Sequence, residues 1–279
     1  MNSLPKPSME VSAAEIFALC ASGFSDETLK KNLLSCVSFV EEDSTQFVSS
    51  FVDSILSIEK NRTLPNKVSK SQMEKIYTCK FASKGSPGRK YYDLLMSVPK
   101  GRRCPICGER IVRNLDHYMP KSVYTTLIVT PENLIPVCRD CNFDKLTFTI
   151  SNAEDAPLHP YFDNIDSEIW LSVKLLSNQT AIYDVTCPDT WCATLKQRVK
   201  NHLRLFSLDE FYGIKAGQEI ADEIWGWRKI LNENGSIQLL DHLKMRCKSI
   251  EKNQLNSWKS ALYRGLINQY NIFLNWFII

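Results

Sequence analysis

The chain has 279 residues, 44% hydrophobic and 23% charged, with a net charge of only +3. Those values are ordinary for a globular protein and exclude a disordered or fibrous chain. No apolar run approaches the ~20 residues of a membrane span, and residues 1–10 lack the basic-then-apolar layout of a signal peptide, so a cytoplasmic chain without a membrane partner is expected.

The first sixty residues read as helical. Residues 13–19 and the set Leu29, Leu33, Leu34, Val37 and Phe39 follow helical spacing. Phe47, Phe51, Ile55 and Ile58 predict a third helix from about Ser44, which Leu64-Pro65-Asn66 ends. Residues 84–88 form a loop and 89–98 return to a helical pattern. The stretch 61–113 carries thirteen Lys/Arg against three acids, net +10, and the remainder sums to −7. A basic block of this kind suits a polyphosphate ligand.

Cys104-Pro-Ile-Cys107 and Cys138-Arg-Asp-Cys141 bracket thirty residues. Two Cys-x-x-Cys pairs at this separation can place four thiolates around one tetrahedral zinc, and four sulfurs leave it no open position, so the ion is expected to be structural. The other cysteines, Cys20, Cys36, Cys79, Cys187, Cys192 and Cys247, are scattered and expected to pack as small hydrophobes. Between the pairs, residues 110–117 and 134–137 predict short strands separated by a loop over 119–131, and 142–148 predict a helix.

Asp116-His117 lies on the first of these strands. An imidazole can take a proton from water near neutral pH, and a carboxylate offers a hard oxygen to a divalent ion. Asn142 follows the fourth cysteine and Asn133 opens the second strand. Lys121, Lys145, Arg102 and Arg103 are placed to meet phosphates.

The runs Leu115-Asp-His-Tyr-Met-Pro-Lys-Ser122 and Pro131-Glu-Asn-Leu-Ile-Pro-Val-Cys-Arg-Asp-Cys-Asn142, with Lys145, resemble the HNH endonuclease motif in its zinc-containing ββα-metal form, over roughly 102–150. The resemblance implies an α+β, mainly α-helical chain with a small zinc-stapled core flanked by helical regions. It implies His117 as general base, Asp116 and Asn142 as ligands of a catalytic Mg²⁺ or Mn²⁺, and Asn133 as the residue that orients the base. Asparagine stands where the motif's name has its second histidine. A looser likeness, carried by His159-Pro-Tyr-Phe-Asp163 and the Arg89…Tyr92…Leu95 helix, is to HNH subunits of Septu-type and retron-linked anti-phage systems, which pair with an AAA/ABC-like ATPase.

After an acidic stretch over 154–166, residues 170–176 and 180–185 predict a hairpin turning at Ser177-Asn178-Gln179. Helices follow over 195–205, 211–231, 237–250 and 258–277. Trp225, Trp227, Trp276 and Phe277 are candidate anchors for an ATPase partner. The expected domains are 1–100, a nuclease core over 101–150, and 151–279. The function expected is hydrolysis of nucleic-acid phosphodiesters, DNA first, as an anti-phage effector. The alternatives are a tRNA-cleaving effector and a non-catalytic zinc module binding nucleic acid or a protein.

Overall fold

The computed structural model describes residues 1–49, 51, 56–146, 148 and 150–277. Helix takes up 54% of the chain and strand 7%, so the chain is mixed α and β and mostly helical. It divides into two compact units, 2–163 and one that begins at Asn164. The stretch 101–150 is thus not a body of its own, and 151–163 belongs with the residues before it. Tyr118 Oη donates to Pro157 O at 2.7 Å and Tyr161 Oη to Leu134 O at 3.3 Å, which ties that segment to the strands.

The first unit opens with three helices, α1 (Ala13–Ser22), α2 (Glu27–Leu34) and α3 (Val37–Ser49). Ser12 and Glu15 close a reciprocal capping box on α1, and Asp26 caps α2 through two backbone N–H groups. The third helix starts at Val37 rather than near Ser44, because the chain breaks at Ser35–Cys36, so Val37 and Phe39 belong to α3. Ile55, expected on that helix, lies outside the described residues. A further helix, α4 (Lys70–Lys75), runs into one π-helical turn, Ile76–Phe81. The spacing did not predict it, although Ser69 and Gln72 form a capping box at its start. Helix α5 (Arg89–Ser97) follows. Just before it, the backbone of Gly88 passes so close to α1 that a Cβ there would lie 2.7 Å from Cys20 Sγ. Ile16, Phe17, Val40, Met73, Ile76, Phe81 and Leu95 form one core with Leu115, Ile128 and Leu134 of the central segment.

That segment holds β1 (Asn114–His117) and β2 (Leu134–Val137), antiparallel, with Asp116 opposite Ile135 and His117 opposite Leu134. Helix α6 (Arg139–Lys145) begins at the second cysteine pair, earlier than expected, with the Cys138 sulfur accepting from Cys141 N as its cap. The order strand, loop, strand, helix agrees with expectation.

The second unit contains a hairpin, β3 (Leu171–Leu175) and β4 (Ala181–Val185), then α7 (Ala193–Leu205), α8 (Leu208–Asn234), α9 (Ser236–Glu251), α10 (Trp258–Asn268) and α11 (Tyr270–Asn275). Gln269 clips α10 to β3, accepting from Leu175 N at 3.0 Å and donating to Val173 O at 2.7 Å. Trp227 and Trp276 are buried, with Trp227 edge-on to Phe273 at 5.3 Å, so they build this core and are not surface anchors. Trp225 is 72% exposed. Among the described residues no helix is long and apolar enough to cross a membrane.

Candidate metal centre and hydrolytic site

The sulfurs of Cys104, Cys107, Cys138 and Cys141 all lie within 4.8 Å of one another, and all four residues are buried. Zinc–sulfur bonds of about 2.3 Å put tetrahedral sulfurs about 3.8 Å apart, so this cluster fits one such ion with little movement. Local backbone explains the shape. Gly108 adopts φ +73, a left-handed turn that favours glycine, and its N–H donates to Cys104 O at 2.8 Å. Backbone N–H groups point at the sulfurs, Arg110 N at 3.5 Å from Cys107 and Cys141 N at 3.4 Å from Cys138. Hydrogen bonds from neighbouring thiols, Cys104 first, hold Cys107 and Cys138 below the ordinary thiol range. The same bonds push Cys104 and Cys141 up as the donors. Arg110 Nε joins Asp140 at 2.8 Å and so links the two cysteine pairs across the cluster. Of the other cysteines, Cys20, Cys36 and Cys247 are packed inside as expected, whereas Cys79 and Cys192 are exposed.

His117 ends β1 and is 6% exposed. Its Nε2 lies 2.9 Å from Ile128 O. A carbonyl only accepts, so Nε2 carries the hydrogen, and in the neutral ring the lone pair is on Nδ1. The ring is neutral because burial drives its pKa from the ordinary 6.5 down to about 3. Tyr77, from the π-helical turn, packs edge-on to it at 4.5 Å and donates to Leu115 O.

Asn133 is fully buried and does not touch the imidazole. Its Oδ1 accepts from Met119 N at 2.7 Å, and its Nδ2 donates to Met119 O at 3.2 Å and Leu127 O at 3.1 Å. It staples the 119–131 loop, whose next residue, Ile128, holds His117. A second anchor, Thr126 to Asp43, fastens the same loop to α3, where Asp43 also pairs with Arg62. Arg62, counted in the basic block, is therefore committed to an ion pair.

Lys145 does not face solvent as expected of a phosphate contact. It is 5% exposed, with Nζ 2.9 Å from Asp116 Oδ2 and 2.6 Å from His117 O. The cysteine cluster fixes the start of α6, and the seven-residue helix brings its last side chain back over β1. Burial pushes the Asp116 carboxyl up, against the pull of Lys145. Asn142 is half-buried, and among the described residues its side-chain amide makes no hydrogen bond. Lys121 sits over the Tyr77 ring at 5.0 Å, near the imidazole. Arg102 and Arg103 are exposed beside the first cysteine pair, Arg103 within 3.9 Å of Glu109. His159 is fully buried among Phe51, Tyr118 and Phe162, ring centroids 4.4–4.7 Å away, a packed histidine.

Motif spacing pointed to His117, Asp116, Asn133 and the cysteines. It gave no sign of Tyr77 or of Ile128, which acts through its backbone carbonyl and could not be read from a side chain.

The chain is 26% identical over 297 aligned residues to protein ea31 of Escherichia phage lambda, covering 98% of this chain and 99% of that protein. No protein-family profile matches it. No solved structure matches it either.

Proposed function

We propose that the chain is a metal-dependent HNH-type endonuclease built on a structural zinc site. The observation that carries this reading is the bond from His117 Nε2 to Ile128 O, on a hairpin stapled to a helix by four cysteines. It leaves a neutral imidazole with its lone pair at Nδ1, the atom a general base uses, although burial that holds its pKa near 3 weakens its pull on a proton. Nδ1 takes a proton from water; the water oxygen bonds to phosphorus, and the bond to the 3′ oxygen breaks as that oxygen takes up a proton from solvent, leaving 5′-phosphate and 3′-hydroxyl ends. Asn133 keeps the loop, and with it Ile128 O, in place.

Asp116 and Asn142 are hard oxygen donors of the kind that hold Mg²⁺ or Mn²⁺, and their chemistry fits such an ion, although Lys145 shares the carboxylate. A divalent ion there would supply charge to offset the developing negative charge of the phosphoryl group. Lys121, Arg102 and Arg103 would contact the backbone without reading bases. A similar chain occurs in phage lambda. An anti-phage effector paired with an ATPase is the form the resemblance implies.

The test is incubation of purified protein with plasmid, single-stranded DNA and tRNA, with Mg²⁺, Mn²⁺ or EDTA. Divalent-dependent cleavage of plasmid is expected, and cleavage of tRNA alone would move the substrate to RNA. Cleavage of none of the three would refute the reading. One observation favours a second reading, a zinc module that binds without cutting: the ammonium of Lys145 already neutralises Asp116. It predicts nucleic-acid binding that is insensitive to added Mg²⁺.

A further inference from the structure

Three extended stretches run side by side next to the cysteine cluster. Arg103 pairs with Ile111 across an antiparallel bridge, and Val112 N donates to Arg102 O at 2.8 Å. On the other side Arg113 N donates to Val137 O at 2.8 Å, just before Cys138 and Arg139. This register gathers arginines that are far apart in sequence. A surface cleft of about 650 Å³ opens there, lined by Arg110, Ile111, Arg113, Cys138, Arg139 and Asp140.

The cleft holds three guanidinium groups and one carboxylate. That carboxylate, Asp140, is engaged by Arg110 at 2.8 Å. Among the described residues, Arg113 and Arg139 have neither a hydrogen-bonded nor an ion-paired side-chain partner. The sulfurs of the cysteine cluster, Cys138 among the lining, lend this concavity some negative field, and Arg110 feels it; the Arg113 and Arg139 donors stay open to an anion from solvent. Guanidinium groups are matched to phosphate by their paired donors. Ile111, 53% exposed in the same lining, offers an apolar contact of the kind a sugar ring uses.

We infer that this arginine cleft binds a phosphodiester backbone, anchoring the strand to be cut at a point remote from His117. The inference rests on the nuclease reading for its purpose, and on the cleft for its chemistry. Arg113 precedes β1 directly, so His117 lies four residues along, roughly 13 Å at ~3.3 Å per residue. That is about four nucleotide steps at ~3.4 Å each. The cleft therefore holds phosphates several nucleotides from the cut and does not read bases.

The experiment uses the full-length zinc-loaded chain carrying His117→Ala, so that probes stay intact. Binding of a labelled 24-base-pair DNA duplex and of labelled tRNA is measured across a salt series. Arg113→Gln with Arg139→Gln is compared with Lys248→Gln and Lys252→Gln, an equal charge loss on exposed residues of α9 and the turn after it. The arginine pair is expected to weaken binding at least tenfold at ~50 mM salt and to reduce the slope of log K against log salt by about two. The lysine pair is expected to do neither. Weakening confined to one probe would assign the backbone as DNA or RNA. Equal effects of the two pairs, or none from the arginines with zinc content and melting unchanged, would overturn the inference. Loss of binding without cleavage by the wild type would sink the nuclease reading and leave the cleft standing. Cleavage with unaltered binding would do the reverse.

Discussion

Asn133→Ala is the perturbation whose magnitude follows most directly from the structure. The amide is fully buried and makes three hydrogen bonds, to Met119 N, Met119 O and Leu127 O. A buried hydrogen bond contributes about 1 kcal/mol net, and a backbone group left buried without its partner costs about 1–3 kcal/mol. Alanine strands the Met119 N–H outright, while the two carbonyls relax more easily. The expected loss is about 3–5 kcal/mol, a large share of the ~5–15 kcal/mol available to a folded protein. At roughly 2–4 °C per kcal/mol for a unit of this size, the melting temperature of the zinc-loaded protein should fall by about 6–20 °C. Urea unfolding followed by circular dichroism gives the free energy directly. Because the staple also sets Ile128 O, cleavage measured well below the melting point should drop by roughly 100-fold. A stability loss under about 1 kcal/mol would refute the assignment of Asn133 as the staple of the loop.

On the proposed zinc site, Cys138→Ser should abolish stoichiometric zinc, measured by native mass spectrometry, and should lower stability and activity together, because an ion held by the four cysteines would fasten α6 to the hairpin. Lys145→Met should destabilise by about 1–3 kcal/mol by leaving the partly buried Asp116 and the His117 carbonyl without their partner, and adding Asp116→Asn should recover part of that loss in urea unfolding. The pH–rate profile should show no ascending limb at 6.5 arising from His117. Burial already holds its folded pKa near 3, so the base is proton-free above that value, and a nearby cation would push it lower still. A limb near 6.5 that His117→Gln removes along with the residual rate's pH dependence would contradict this.

The cysteine spacing, with the short strands it brackets, carried the central segment, because cysteine knuckles and short hairpins are set by residues close in sequence. The Lys145 side chain was not legible in the same way. A lysine after a cysteine pair has the charge of a phosphate contact, and only the docking of α6 shows it turned back onto Asp116 and His117 O. Tyr77 was invisible because its turn has π-helical spacing, which no 3.6-residue pattern finds. The aromatic pairs near the C-terminus show a similar limit: Trp225 and Trp227 are two positions apart on one helix, so one faces solvent and the other the core. The boundary at 163 was likewise hidden, since contacts such as Tyr118 to Pro157 depend on the tertiary fold.

The most direct test compares wild type with His117→Ala, both zinc-loaded, on plasmid and on tRNA with Mn²⁺ or Mg²⁺. The account predicts strand scission by the wild type alone, with the variant matching it in metal content and melting temperature. Equal scission by both proteins would contradict it.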